Sequence, residues 1–294
     1  MPDTRTYQFT SPGLLPLYTR ALRPGRSAPS SDIQLPRLSA SLVGARSAGY
    51  NLTRYARVCG FAPSLNLPIT WPHVMAFPLQ MKVLTEKEFP LPLLGLVHLR
   101  NSITQHRAIG TGEPLDLRVC LGEQSRTSRG IEFELLTEAI ACGDKVWEEC
   151  STLLFRIANQ DSRKASSTRH PPEMPDYPHQ QTINAPADTG RQYARVSSDS
   201  NPIHLYAMTA KAFGFPRAIA HGMWSKARVL ATLQSQEGWK EGPVRVNCHF
   251  KKPLFLPGQA QLQWQAGPSE WPFQLVNEKG DAPHLSGSIE WLQA

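Results

Sequence analysis

Residues 193–223 read YARVSSDSNPIHLYAMTAKAFGFPRAIAHGM and bring together an acid, a histidine and a glycine that one site can use. Asp199 and His204 are five positions apart, and Gly222 follows at what reads as the start of a helix. The Asn-Pro pair between them suits a helix start, because asparagine accepts main-chain N–H bonds and proline has the φ of a first helical residue. The segment predicts a loop acid and an early-helix histidine that face one cavity.

Gly222 lies near the beginning of a predicted helix with one buried face. Its apolar residues recur at three- and four-residue spacing: Ile219, Met223, Ala227, Leu230 and Leu233. The N–H groups of a first helical turn have no intrahelical acceptor, and a glycine lets a substrate carbonyl approach them. Such donors stabilise an oxyanion. The alternative is that Gly222 only permits close packing of the helix on a sheet.

The two halves of the chain resemble each other. Residues 55–58 and 193–196 both read Tyr-Ala-Arg-Val at an offset of 138, and His73 aligns with His221 at an offset of 148. The larger second offset means that the first half lacks ten residues, in the region of 199–212. We therefore predict two copies of one unit, of which only the second keeps the acid and the histidine that are candidates for catalysis.

Each copy reads as a helix followed by strands with period-two alternation. The strand segments are VRVNCHF, AQLQWQA, FQLVNEKG and LSGSIEWL in the second copy, and LVHLRNSI, LDLRVCL, IEFELLTEAI and KVWEECSTLLF in the first. The predicted fold class is α+β, with a central helix wrapped by an antiparallel sheet in each repeat.

Stretches rich in proline and polar residues set the expected domain boundaries. Residues 1–40 read as an extended N-terminal arm, and residues 158–186 read as a linker without apolar periodicity. These stretches delimit an N-terminal repeat at 41–157 and a C-terminal repeat at 187–294. A length of 294 residues suits two such domains.

The composition is that of a soluble globular protein, with 40% hydrophobic and 19% charged residues. We expect a cytoplasmic location and no membrane partner, because the sequence has no signal-peptide pattern and prolines break its longest apolar run. The five scattered cysteines indicate neither a disulfide framework nor a metal site. The net charge of +7 is dispersed, which argues against nucleic acid. It fits a phosphate-bearing small molecule, an acidic carrier protein or solubility alone.

The stretches DSNPIH and GFPRAIAHGM resemble the two core motifs of the MaoC-type, (R)-specific enoyl-thioester hydratases. From about residue 40 onward the chain resembles the double hot-dog members of that family. The resemblance implies a double hot-dog fold. It also implies that Asp199 and His204 are the catalytic pair, that Asn201 is an orienting residue, and that the Gly222 N–H is the oxyanion contact. Helix capping is the alternative role of Asn201.

One position departs from that family's pattern. The residue before the acid is usually glycine in the family, and here it is Ser198. If the loop requires a positive φ, serine adopts it only at a cost in free energy. Ser198 is therefore expected to affect the orientation of the loop that carries Asp199.

Four further residues are candidates for substrate binding: Lys251, Lys252, Arg245 and His221. The lysine pair could contact the phosphates of coenzyme A, although a solvated strand end is the simpler interpretation. The same two interpretations apply to Arg245. His221 aligns with a histidine in the copy that lacks the acid, which favours a structural role.

The resemblance implies reversible hydration of trans-2-enoyl thioesters to (3R)-hydroxyacyl thioesters. The acyl group would be carried by coenzyme A or acyl carrier protein, and no metal or redox cofactor is required. Two alternatives stay open. A hot-dog thioesterase is disfavoured by the DxNPxH arrangement, and a non-catalytic hot-dog partner subunit is favoured by the departure at Ser198. The oligomeric state is also open, and a homodimer is one option.

Overall fold

The structure, a computed structural model, describes residues 3–8, 16–18, 33–47, 49–93, 95–157 and 175–293. The first copy comprises β2 (Leu38–Ala45), α1 (Gly49–Cys59), α2 (Trp71–Leu84), β3 (Leu96–Gln105), β4 (Leu115–Thr127), β5 (Gly130–Ala141) and β6 (Asp144–Arg156), and β1 (Asp3–Gln8) precedes it. The order of elements after β1 is strand, two helices and four strands.

The second copy has the same order with an addition between its long helices. It comprises β7 (His179–Ala185), α3 (Thr189–Ser197), a 3-10 turn (Pro202–His204), α4 (Ala207–Lys211), α5 (Gly222–Leu233), β8 (Val244–Phe250), β9 (Gly258–Trp264), β10 (Glu270–Asn277) and β11 (Pro283–Trp291). The 3-10 turn and α4 lie in the segment that the first copy lacks. The insertion predicted from the change of offset is therefore a structural element.

All the described strands form one sheet of 11 strands, in the order β1-β2-β4-β5-β6-β3-β8-β11-β10-β9-β7. The order of the second copy mirrors that of the first around the junction of β3 and β8. These two strands pair in antiparallel fashion, with Arg100 opposite His249 and Gln105 opposite Val244. The two repeats therefore share one continuous sheet.

The predicted boundaries need correction at two places. The predicted linker, 158–186, contains β7, which pairs with β9 along its whole length. The predicted arm, 1–40, contains β1 and the start of β2, which pair in parallel. Only Ile183 and Ala185 of β7 are buried, so hydrogen bonding at a sheet edge holds this strand without an apolar pattern that a sequence could display. Residues 158–174 and most of the arm lie outside the described residues.

The long helices α2 and α5 are buried around most of their circumference. All of α5 except Gly222 and Arg228 is buried, so the prediction of a single buried face was too narrow. A helix enclosed on most sides is what a sheet wrapped around it produces. Among the described helices the longest has 14 residues, and none is both long and apolar enough to cross a bilayer.

A buried polar network joins α5 to the first copy. The ammonium of Lys226 is fully buried and donates to the main-chain oxygens of Asn101 at 3.2 Å and Val246 at 3.1 Å, and to the Asn101 side chain. The Asn101 amide donates to the Glu149 carboxylate at 2.6 Å, and His73 Nδ1 lies 2.9 Å from the same carboxylate. Buried charges are tolerated when they are paired in this way. The network therefore depends on the correct docking of the two copies.

Replacing Lys226 by methionine tests this network. Burial lowers the pKa of Lys226 to about 8, so the group is mostly protonated at pH 7. Lys226→Met keeps the volume but leaves three buried oxygens without their donor. We expect the free energy of unfolding, measured by urea denaturation, to fall by about 3 kcal/mol.

The matched control is Lys279→Met in the exposed turn between β10 and β11. It should change the free energy of unfolding by less than about 0.5 kcal/mol. Equal stability of the two variants would contradict the structural role of Lys226.

Candidate active site

The loop that carries Asp199 begins with a left-handed residue. Helix α3 ends at Ser197, and Ser198 follows with φ of 66°, its N–H bonded to the Ala194 carbonyl at 2.8 Å. Residues other than glycine adopt this conformation only at a cost. The prediction that this position requires a positive φ is confirmed, and the serine here carries strain that a glycine would avoid.

Hydrogen bonds on both sides fix Asp199. Its N–H donates to Ser197 Oγ at 3.2 Å, and its carboxylate oxygen Oδ1 accepts the Asn201 N–H at 3.2 Å. The Asn201 side chain in turn accepts the Ile203 N–H at 3.4 Å, at the start of the 3-10 turn. Asn201 therefore caps the turn with its side chain and orients the acid with its main chain.

His204 ends the 3-10 turn and is nearly fully buried. Its Nδ1 lies 2.8 Å from the carbonyl oxygen of Ile219. Because a carbonyl has no proton to give, Nδ1 must donate, which leaves the lone pair of a neutral His204 on Nε2. The turn comes so close to α3 that a Cβ at Gly190 would lie 1.9 Å from the His204 carbonyl oxygen. Gly190 thus positions His204, a role that its place in the sequence does not reveal.

His221 is the residue immediately before α5 and lies against both members of the pair. Its Nε2 donates to the Asp199 carbonyl at 2.9 Å, and its ring stacks on His204 with centroids 3.7 Å apart. Its other nitrogen, Nδ1, has no hydrogen-bond partner among the described residues. The sequence favoured a structural role for His221, and in the structure this residue bonds the main chain of Asp199 directly.

One atom from each of Asp199, His204 and His221 lies within 4.8 Å of the others, a spacing that a metal ion could also use. Two imidazole nitrogens, however, already donate to carbonyl oxygens. The two rings are stacked with a tilt of 28°, and each keeps one nitrogen outside these carbonyl bonds. Such a nitrogen can accept a hydrogen bond from a water molecule when the ring is neutral.

The electrostatics of the site favour an ionised acid beside neutral imidazoles. Burial raises the pKa of the Asp199 carboxyl, but His221, His204 and the Asn201 N–H outweigh that effect and leave the pKa below its usual value. Burial lowers the pKa of His204, and it lowers that of His221 to about 3. At pH 7 both Asp199 and Nε2 of His204 are therefore hydrogen-bond acceptors.

Gly222 is the first residue of α5, and no side chain caps this helix. The N–H groups of its first turn have no intrahelical acceptor and lie at the positive end of the helix dipole. A Cβ at Gly222 would lie 3.0 Å to 3.3 Å from the ring of Phe250. The glycine therefore permits close packing on Phe250, and its role as an oxyanion donor stays a prediction.

The other predicted substrate-binding residues lie apart from this cluster. Arg245 is on the outward face of β8, where it approaches Glu290 at 4.0 Å and bonds Thr104, so the structure does not bring it to the acid and the histidines. Lys251 and Lys252 are exposed just beyond Phe250. They follow in sequence the residue whose ring lies against Gly222.

Comparison with known proteins identifies the family. A family model described as MaoC like domain matches residues 166–272. The 3-hydroxyacyl-thioester dehydratase X of Mycobacterium tuberculosis is 32% identical over 267 residues, which cover 90% of this chain and 92% of that protein. The chain belongs to the MaoC-like dehydratase family. This MaoC-like protein is accordingly an enzyme of the hydro-lyase class.

Solved structures show the same fold for the MaoC-like chain. The crystal structure of HtdX from M. tuberculosis has a TM-score of 0.74 at 29% identity and covers 86% of this chain and 100% of that one. A MaoC-like dehydratase from Phytophthora capsici has a TM-score of 0.67 at 19% identity, with 88% and 95% coverage, and shows the fold alone. The predicted double hot-dog fold is confirmed.

A stability measurement at two pH values tests the burial of His221. Its pKa of about 3 lies below the ordinary 6.5, so between these values the unfolded chain binds a proton that the folded chain does not. Neutral His221 therefore contributes to the free energy of unfolding above pH 6.5, and this contribution is lost as the pH falls. From pH 7 to pH 5 we expect His221 to lower the free energy of unfolding by about 2 kcal/mol.

His221→Gln isolates this contribution, because glutamine can donate to the Asp199 carbonyl but does not titrate. The variant should lose about 2 kcal/mol less than the wild type between pH 7 and pH 5 in urea denaturation. His98, whose pKa burial lowers to about 4, contributes equally in both proteins. Identical losses would show that His221 titrates normally.

Proposed function

We propose that this MaoC-like enzyme catalyses the reversible syn addition of water to a trans-2-enoyl thioester, which gives a (3R)-3-hydroxyacyl thioester. One observation carries the proposal. An ionised Asp199 and a neutral His204, both hydrogen-bond acceptors, lie close together beside the uncapped start of α5. That combination provides a water site next to an oxyanion site.

The spacing of the two acceptors suits one bridging water. Hydrogen bonds of about 2.8 Å from one water to two acceptors span up to about 5 Å. One carboxylate oxygen of Asp199 and one ring nitrogen of His204 lie within 4.8 Å of each other. A water whose two protons point at these acceptors turns its lone pairs outward, toward C3 of the substrate.

Proton transfer then follows from the same groups. As the water oxygen attacks C3, one acceptor takes a water proton and acts as general base. The same pair returns a proton to C2, so that H and OH add to one face of the double bond. In dehydration, the pair removes the C2 proton and protonates the departing hydroxyl.

Negative charge develops on the thioester oxygen while C3 is attacked. The N–H of Gly222 donates to this enolate oxygen, and the dipole of α5 adds to its stabilisation. The proposed reaction uses side chains and main-chain N–H groups only, with no metal or redox cofactor.

The relatives support the substrate class. The similar M. tuberculosis protein is named a 3-hydroxyacyl-thioester dehydratase. A second relative, the fatty acid synthase beta subunit hexB of Dothistroma septosporum, is 34% identical over 101 residues, which are 30% of this chain and 5% of that protein. We infer a thioester on coenzyme A or acyl carrier protein, and Lys251 and Lys252 are the proposed phosphate contacts.

An assay with enoyl-CoA tests the catalytic pair. The protein is incubated with crotonyl-CoA and longer enoyl-CoAs, and the loss of the conjugated thioester absorbance is followed. Asp199→Asn removes the negative charge and replaces one of the two acceptor oxygens by an NH2 donor, and His204→Ala removes the imidazole acceptor. We expect each variant to lower kcat by about 100-fold or more.

Asp144→Asn, at the exposed first residue of β6, is the matched control and should keep full activity. Unchanged turnover by the Asp199 or His204 variant would overturn the assignment of the pair. Release of free thiol instead of hydration would indicate a thioesterase. The hydratase reaction is rejected only if the protein also fails to hydrate an enoyl group carried by acyl carrier protein.

A proline at position 222 tests the oxyanion donor. Proline suits the first position of a helix, and His221, with ψ of 139°, already has the conformation that must precede a proline. Gly222→Pro therefore removes the N–H and retains the helix start. We expect kcat for crotonyl-CoA hydration to fall by about 100-fold or more.

Gly222→Ala is the matched control, since it adds a Cβ near the Phe250 ring but keeps the N–H. Its loss of kcat should be at least tenfold smaller than that of the proline variant. If both variants lose the same activity, crowding and not the missing donor is responsible, and the oxyanion assignment is wrong.

A further inference from the structure

Tyr18 reaches the loop of the acid from the opposite end of the chain. Its hydroxyl donates to the Ser198 carbonyl at 2.6 Å and accepts the Ser200 N–H at 2.6 Å. The two partners are the residues on either side of Asp199. Burial, followed by the charge of Asp199, raises the pKa of this phenol, so the hydroxyl keeps the proton that it donates.

The contact completes the hydrogen bonding of a short, strained turn. The other bonds of this turn come from within the C-terminal repeat: Ser197 Oγ, the Ala194 carbonyl and His221 Nε2. Tyr18 comes from the first copy's side of the sequence, 180 residues from Ser198. Its neighbour Leu17 is buried, with 3% of its surface exposed, so apolar packing anchors the tyrosine in the fold.

We propose that Tyr18 is a positioning residue for catalysis, which clamps the turn from Ser198 to Ser200 and thereby holds the Asp199 carboxylate at the water site. The inference rests on the proposed hydration reaction and assigns to it a residue of the predicted N-terminal arm. Tyr18 itself does not contact the reacting atoms.

The physical reason lies in the left-handed Ser198. A serine with φ of 66° is under strain and relaxes when nothing opposes it. The Tyr18 hydroxyl opposes relaxation on both sides, since a phenol can donate to a carbonyl and accept from an N–H at once. A shorter hydroxyl side chain at this position would not span the distance, and phenylalanine would make neither bond.

Displacement of the turn would move Asp199 relative to His204. Misplacement of a catalytic group by about 1 Å typically costs up to about 100-fold in rate. Substrate binding, in contrast, depends on other parts of the site. Loss of the clamp should therefore lower kcat more than it raises KM.

Tyr18→Phe removes the hydroxyl alone, and Tyr177→Phe, a tyrosine outside the site, is the matched control. With crotonyl-CoA we expect Tyr18→Phe to lower kcat about tenfold, with KM within threefold of the wild-type value. Tyr177→Phe should match the wild type in both constants. Thermal unfolding of all three proteins shows whether the chains are equally folded at the assay temperature.

The dependence of kcat on pH is a second test of the role of Tyr18, because a general loss of stability would not change it. The titratable groups around Asp199 are His204, His221, His73, Tyr193 and Tyr18. In a relaxed turn the acid lies farther from the imidazoles and the Asn201 N–H that lower its pKa. The acid limb of kcat should therefore move to higher pH in Tyr18→Phe and stay in place in Tyr177→Phe.

Hydrogen exchange provides a reading that does not depend on activity. The Ser200 amide, bonded to Tyr18, should exchange at least tenfold faster in Tyr18→Phe than in the wild type, whereas amides of β8 should be unaffected.

The outcomes separate this inference from the proposed function. A wild-type protein that hydrates no acyl thioester overturns the proposed function, and the role of Tyr18 falls with it. A wild-type protein that is active while Tyr18→Phe retains kcat within twofold overturns the role of Tyr18 alone. The loss of kcat in Tyr18→Phe could also equal the fraction of that variant that is unfolded, while the acid limb of its pH profile stays where it is in the wild type. That result would assign Tyr18 a structural role only and would also overturn the inference.

Discussion

The pairing of β3 with β8 is the constraint on which the rest of the structure depends. It joins six described strands on the side of the first copy to five on the side of the second, so that both copies share one sheet. Lys226 reinforces this junction from within, because its fully buried ammonium bonds carbonyl oxygens of both strands. A buried ammonium is stable only when every proton finds an acceptor, so the network tolerates a single register of the two copies. The C-terminal copy, which holds the candidate site, therefore depends on the N-terminal copy for its packing.

The active site results from a local insertion into this symmetric frame. The second copy adds a loop, a 3-10 turn and the short helix α4 between its two main helices, and the acid and the histidine both lie in that addition. The fold makes them chemically useful through its main chain. The Ile219 carbonyl selects the tautomer of His204, the Asn201 N–H favours the ionised Asp199, and the start of α5 supplies uncapped donors. Strain at Ser198 is the cost of this geometry, and contacts around the turn offset it.

Sequence reasoning predicted the repeat and the grouping of Asp199, His204 and Gly222, because a motif confined to about thirty residues preserves its own local geometry. The resemblance of that motif to a known family implied the double hot-dog architecture. Sequence reasoning failed where contacts are long-range or lack an apolar pattern. Strand β7 is held by edge hydrogen bonds and exposes most of its side chains, so it read as a linker. The importance of Gly190 lies in the approach of another segment's carbonyl, which no spacing reveals. Arg245 has the charge expected of a substrate contact but lies on the outward face of its strand.

The sequence by itself determined the class of this protein: the period-two strands, the apolar helix and the ten-residue difference between copies are local properties, and local properties can be read from residue order. Only the tertiary structure decided which nitrogen of His204 carries the proton and which distant residues hold the turn around Asp199. Whether His204 accepts or donates depends on a carbonyl 15 positions away, and the turn around Asp199 is clamped by a tyrosine 180 positions from Ser198. Both depend on distances in space, which folding sets through burial and hydrogen bonding and which sequence separation does not encode.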